Sequence, residues 1–218
     1  MPMLQASDGR RLVLHDVDWR TYERLLRAFA ERPSMRLTYD RGTLEIISPL
    51  SEHESDVYLL GRFVDALTDE LGIPVKAGRC TTFRRRKRRR GLEPDNSYWI
   101  ASELRVHGKR HIDLRVDPPP DLAIEVDVTR SSLDRMGIYA ALGVREVWRL
   151  DGPQTLSFQV LQPDGPYQDV SHSLSFPMVT PADLVHFLTL QGQLDDMSLL
   201  RQFRAWIRQR VPGPGKAP

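Results

Sequence analysis

Apolar and polar positions along the chain follow two periods, and the places where the period changes mark out the elements. In "DWRTYERLLRAFAERP" the apolar residues Tyr22, Leu25, Leu26, Phe29 and Ala30 recur at helical spacing and Pro33 follows, which predicts a short amphipathic helix. "MRLTYDRGTLEIIS" alternates about Asp40-Arg41-Gly42 instead, predicting strands over 36–39 and 43–47 with glycine serving the turn. Ser51 followed by Glu54 has the form of a capping box, and Val57, Leu60, Val64, Leu67 and Leu71 share one face. Gly72 and Pro74 then stop the pattern, so the longest helix is predicted over 51–71.

Short strand-like pieces follow at 75–77 and 81–83, then a run of basic residues, then "SYWIAS". The densest pattern is "DLAIEVDV", a strand with Asp121, Ala123, Glu125 and Asp127 on one face and Leu122, Ile124 and Val126 on the other. Ser131 or Ser132 can cap a helix running to about Leu142, Gly143 can end it, and "REVWRL" reads as the next strand. Strand, helix and strand with short joints predict a crossover within a central sheet. Strands over 155–161 and 167–170 and helices near 182–190 and 197–210 complete the chain, and 211–218 is expected to be a disordered tail.

Length and composition narrow the class. The chain has 218 residues, 40% hydrophobic and 28% charged, which suits one domain of ordinary size over 1–210 with a sizeable core. No apolar run approaches the roughly 20 residues of a membrane span, and the opening "MPMLQASDGRRLVLHD" does not resemble a signal peptide, so a cytoplasmic address without membrane contact is expected. Cys80 is the one cysteine, which excludes an internal disulfide and a cysteine zinc cluster. His107, His111, His172 and His186 show no ligand spacing.

The net charge of +2 conceals an uneven distribution. Arg84, Arg85, Arg86, Lys87, Arg88, Arg89 and Arg90 are consecutive, and without them the chain is acidic. Seven adjacent like charges cannot share a core, so the run must meet solvent or a polyanion, and contact with nucleic-acid phosphates is expected.

Asp121, Glu125 and Asp127 on one strand face would repel, and buried carboxylates need pairing or coordination. A divalent cation resolves the conflict. Asp and Glu oxygens suit Mg²⁺, which needs only one or two carboxylates beside water and phosphate oxygens.

"ISPLSEHE" at 47–54, "GLEPD" at 91–95, "PPPDLAIEVDVTRSSLDR" at 118–135 and "IYAALGVREVWRLD" at 138–151 together carry a resemblance. The chain resembles the Uma-type restriction-endonuclease family of bacteria, a branch of the PD-(D/E)XK nuclease superfamily. The resemblance covers nearly the whole chain. It implies a restriction-endonuclease-like α/β fold, a central mixed sheet flanked by helices. It also implies an endonuclease that hydrolyses DNA phosphodiester bonds with Mg²⁺ or Mn²⁺, the alternative being a weak or inactive nuclease fold that binds nucleic acid or acts as a regulatory partner.

Carried over by motif, Asp95 matches the aspartate of the Pro-Asp element and Glu125 the acid of the (D/E)XK strand, the implied metal pair. Asp121 is expected as a third ligand or a supporting acid, and Glu52 and His53 match the family's acidic and histidine positions at the first long helix. Where the superfamily pattern has lysine, two residues after Glu125, this chain has Asp127, and the helical position that commonly supplies the lysine holds Arg135. Arginine stays protonated, so it can offset phosphate charge or orient water but cannot accept a proton. Tyr139, one turn further on, is expected in the core. A homodimer suits the cutting of two antiparallel strands.

Overall fold

The computed structural model describes residues 4–7, 11–30, 32, 35–48, 51–78, 81–127, 131–152 and 154–211, though not the side chains of 4–7, 51–53 and 127. Cys80 and the segment 212–218 lie outside the described residues. The first half of the chain runs β1 (Leu4–Ser7), β2 (Arg11–Leu14), α1 (Trp19–Ala28), β3 (Arg36–Asp40), β4 (Thr43–Ile47), α2 (Ser51–Leu71), β5 (Lys76–Ala77) and β6 (Phe83–Arg85). A single 3₁₀ turn at Arg86–Arg88 leads into β7 (Arg90–Leu92), β8 (Asn96–Trp99) and the short α3 (Glu103–Val106). Then come β9 (Leu122–Asp127), α4 (Arg135–Leu142), β10 (Glu146–Asp151), β11 (Leu156–Leu161), β12 (Tyr167–Val170), α5 (Pro181–Leu188) and α6 (Asp196–Arg210).

The strands form two sheets. One is antiparallel throughout, in the order β1-β2-β4-β3-β7-β6. Its β3–β4 turn places Arg41 and Gly42 at φ 47° and 114°, the paired positive angles that a tight two-residue hairpin needs and that glycine adopts at least cost. The other sheet is mixed, in the order β12-β11-β10-β9-β8-β5, with β9 and β10 parallel and joined through α4. This is the central mixed sheet of the expected α/β fold, and the antiparallel sheet beside it is an addition that the sequence pattern did not reveal.

The alternation of β9 is read out on both faces of the mixed sheet. Leu122, Ile124 and Val126 enter a core with α2, α5 and α6, including Phe63, Phe187 and Phe203, while Ala123 faces a second core with Ile138, Tyr139 and Leu142 of α4. A strand central to a sheet and covered on both sides has no solvated edge, so a carboxylate on it must find partners inside the protein. A third core lies where α1, capped by Asp18 accepting from Thr21 N at 2.7 Å, sets Trp19 and Tyr22 against Tyr39 of the antiparallel sheet. Tyr22 stacks on Tyr39 at 4.7 Å, and a Cβ on Gly91 of β7 would collide with the Tyr22 hydroxyl, so only glycine allows this approach.

Two boundaries depart from expectation for identifiable reasons. α4 begins at Arg135 rather than near Ser131, because Asp134 provides the cap, accepting from Gly137 N at 2.9 Å. Ser131 and Ser132 are occupied elsewhere, as donors to Glu45. The basic run is not a loop but a hairpin, β6 and β7 with the 3₁₀ turn between them, added to the edge of the antiparallel sheet.

Candidate active site

Glu93-Pro94-Asp95 is the passage from β7 in one sheet to β8 in the other. β8 runs antiparallel to β9 with Asn96 opposite Ile124, and one further step in that register sets Asp95 opposite Glu125. The Asp95 carboxylate accepts from Val126 N at 2.8 Å, so the backbone of β9 holds one acid directly beside the other. Both are buried, Asp95 at 8% and Glu125 at 6% exposure.

Glu125 is held by α4. Arg135 Nη2 donates to its Oε2 at 2.8 Å, and Arg135 Nε lies against Oε1 as an ion pair without aligned hydrogen-bond geometry. Tyr139, one helical turn on, donates its hydroxyl to the same Oε2 at 2.5 Å. Arg135 also reaches back to the antiparallel sheet, donating to Thr38 Oγ1 at 2.6 Å and to the Glu93 carbonyl at 3.1 Å. The guanidinium is thus fixed by two strands and the passage between the two sheets.

Burial pushes the Glu125 carboxyl above its ordinary pKa; Arg135 opposes that push, and the neighbouring Asp95 charge adds to it. Arg135 stays protonated, because the Glu125 carboxylate outweighs the cost of its burial. The Tyr139 hydroxyl is pushed well above its ordinary value by burial and by the Glu125 charge. Burial also raises Glu93, whose carboxylate accepts from Thr82 Oγ1 at 2.6 Å.

A cavity of about 600 Å³ opens over this group, lined by Glu125, Arg135, Asp134, Ser131, Arg149 and Asp151 among others. Arg149 lies opposite Glu125 in the parallel register of β10, so a second arginine stands at the same wall.

Asp121, expected as a third ligand, stands elsewhere. Its Oδ2 accepts from Ile100 N, Ser102 N and Ser102 Oγ at 2.8, 2.9 and 2.8 Å, clamping the turn after β8. Four residues of strand separate it from Glu125, about 13 Å, so sharing a face does not mean sharing a site. The side chains of Glu52, His53 and Asp127 lie outside what is described. Among the described residues no group of three or more His, Cys, Asp or Glu gathers as a metal site; the neighbouring carboxylates of Asp95 and Glu125 are of the donor type that could hold a hard divalent cation.

The basic run divides. Arg84, Arg86, Lys87, Arg88 and Arg89 are exposed, whereas Arg85 and Arg90 are half-buried. Arg90 donates to Asp40 Oδ1 at 2.9 Å and to the Gly137 carbonyl on α4 at 2.8 Å, so it braces the hairpin against the site helix instead of pointing outward.

Sequence reasoning missed Tyr139 as a partner of Glu125, although its i,i+4 spacing from Arg135 was the available signal. It also missed Glu45, wholly buried on β4, whose carboxylate accepts from Ser131 Oγ, Ser132 N and Ser132 Oγ at 2.6–2.8 Å and so holds the segment leading into α4.

A mixed sheet with an acidic pair at the junction of two neighbouring strands, fixed by a cation from the following helix, defines a chain of the nuclease-fold class. Residues 19–195 match the Uma2 family, described as "Putative restriction endonuclease", and the chain belongs to that family. It is similar in structure to a protein of Anabaena variabilis ATCC 29413 described as "a putative nuclease belonging to DUF820", with a TM-score of 0.50 and 18% identity over 75% of this chain and 98% of the other. That likeness concerns the fold. No curated protein matches the chain, and no helix among the described residues is long and apolar enough to cross a membrane.

Proposed function

We propose that this protein is an endonuclease that hydrolyses DNA phosphodiester bonds with Mg²⁺ or Mn²⁺ held by Asp95 and Glu125. The observation that carries this reading is the pairing of two buried carboxylates, Asp95 at the entry to β8 and Glu125 on β9 at the wall of a cavity, with their mutual repulsion offset by Arg135. Two oxygen ligands from the protein suit an ion that completes its shell with water and phosphate. When bound, such an ion neutralises phosphate charge and makes a water more acidic.

The chain's own groups divide the remaining work. Arg135 and Tyr139 fix the rotamer of Glu125 through both its oxygens. Arg135 keeps its proton, so it orients and compensates charge but does not act as the base. Arg149 at the cavity wall can meet a phosphate oxygen. The exposed residues of the hairpin, six to eleven residues upstream of Asp95, lay positive charge where the DNA backbone would run. A two-fold dimer would offer two such sites to antiparallel strands.

One observation favours a second reading, a nuclease fold that binds DNA and cleaves it weakly: the Arg135 guanidinium already spans both oxygens of Glu125. Supercoiled plasmid incubated with the protein and Mg²⁺ or Mn²⁺, wild type beside Asp95→Ala, separates the two. Metal-dependent nicking that disappears in the variant supports the endonuclease. Retention of the plasmid without nicking above the variant supports the second reading.

A further inference from the structure

A second cavity, of about 800 Å³, lies between α1, the basic hairpin and the segment 112–115, and no step of the proposed hydrolysis uses it. Its walls carry three kinds of group. Trp19, Leu37 and Phe29 give an apolar side, with Trp19 held edge-on by Tyr22 and Tyr39 at 5.3 and 5.6 Å. The indole N–H of Trp19 is buried without a hydrogen-bond partner. Arg84 and Arg86 of the hairpin supply charge to the same cavity. They form no ion pair among the described residues, and Asp113 of the same wall is already engaged by Arg115 at 2.7 Å. Glu93 contributes a carboxylate, oriented by Thr82.

We propose that this cavity binds a single nucleotide, its base against Trp19 and its phosphate on Arg84 and Arg86. The wall also carries Arg27, Arg32, Arg36 and Arg115 and the carboxylates Glu23 and Asp113, and an aromatic side set among guanidinium groups with fewer carboxylates matches a ligand with a flat base, an anionic phosphate and an amino edge. A purely acidic ligand would meet Glu93 unfavourably, and a purely apolar one would strand the arginines. The volume lies within the range of small-molecule sites and exceeds that of one base, so the sugar and phosphate are enclosed with it. The nucleotide is either free or unstacked from a strand. In the second case Glu93, whose carbonyl accepts from Arg135, joins the pocket to the Asp95–Glu125 pair. The proposal concerns a cavity apart from the candidate active site and stands or falls separately from the nuclease reading.

Tryptophan fluorescence of the full chain in EDTA, titrated with dAMP, dTMP, a short single strand and its blunt duplex, tests it. dAMP should saturate the signal and bind more tightly than dTMP, which lacks the amino group. Arg84→Ser with Arg86→Ser should weaken dAMP binding about tenfold. Lys87→Ser, Arg88→Ser and Arg89→Ser together, at the hairpin tip outside the cavity, should leave dAMP affinity unchanged while lowering affinity for the duplex. A single strand binding more tightly than the duplex assigns the pocket to a strand; binding of dAMP alone assigns it to a free nucleotide. Absence of saturation by dAMP, or equal loss in both sets of variants, would overturn the pocket, and duplex binding in that case would leave the nucleic-acid reading intact.

Discussion

Glu125 and Glu146 stand on neighbouring parallel strands and are both buried, yet their surroundings give them different work. Glu146 faces the α2–α5–α6 core side and accepts only from neutral donors: Trp148 Nε1, Ser173 Oγ, Leu174 N, Ser175 N and Ser175 Oγ, at 2.6–3.0 Å. Those donors satisfy both oxygens and pin the segment 173–175 to the sheet. Glu125, on the other face, is met by a guanidinium and a phenol, has Asp95 as neighbour, and looks into a cavity. A buried acid sealed by neutral donors is a fastener. One that depends on a charge and faces open space can exchange partners, which is what binding a cation requires.

Breaking the fastener should have the largest effect. Glu146→Ala strands five donors and should cost about 4 kcal/mol of stability, read from the urea midpoint. Glu125→Gln leaves Arg135 buried without its counter-charge and should cost about 3 kcal/mol. Adding Arg135→Met should recover most of that loss, since replacing both members of a buried pair is far milder than removing one. No companion substitution of this kind should rescue Glu146→Ala, because its donors are mostly backbone and serine groups.

Asp121→Asn sharpens the assignment from the other side. The clamp on Ile100 and Ser102 weakens by about 1 kcal/mol, and plasmid nicking per folded molecule should stay at the wild-type level. A loss of nicking at unchanged folding would return Asp121 to the site. The smallest effect belongs to an ion pair near the surface. Glu70 is lowered from 4.5 to about 2 by Arg208 and Arg204, which tie α6 to α2. A depressed carboxyl stabilises above pH 4.5 and loses that contribution as pH falls through 2. Glu70→Gln should therefore cost about 0.5 kcal/mol at neutral pH and nothing near pH 2, by urea unfolding at both.

The sequence made the five longer helices, the β3–β4 hairpin and the parallel β9–β10 unit legible because each has a clean period and a local stop; the four-residue α3 lies in a charged stretch that shows neither. β1, β2 and β7 are three or four residues long, and β7 begins inside the basic run, so charge concealed the strand. The Asp95–Glu125 pairing followed from the resemblance to the nuclease family. Its dependence on Tyr139 and Thr38 did not, because those contacts join α4 to a second sheet whose existence no local pattern announces. Glu45 and Glu146 fall on alternating strands in phases that read as solvated; only the chain segments folded over them make them buried. Asp121 shows the converse error, since period-two spacing gives the face of a strand but not the distance along it.

The most direct measurement is the nicking rate of supercoiled plasmid in Mg²⁺ for the wild type against the Glu125→Gln/Arg135→Met double variant, with the urea midpoint of each taken on the same preparations. The account predicts metal-dependent nicking by the wild type, none above background by the double variant, and stabilities within about 1 kcal/mol of each other. Equal nicking by the two proteins, or none by the wild type, would contradict it.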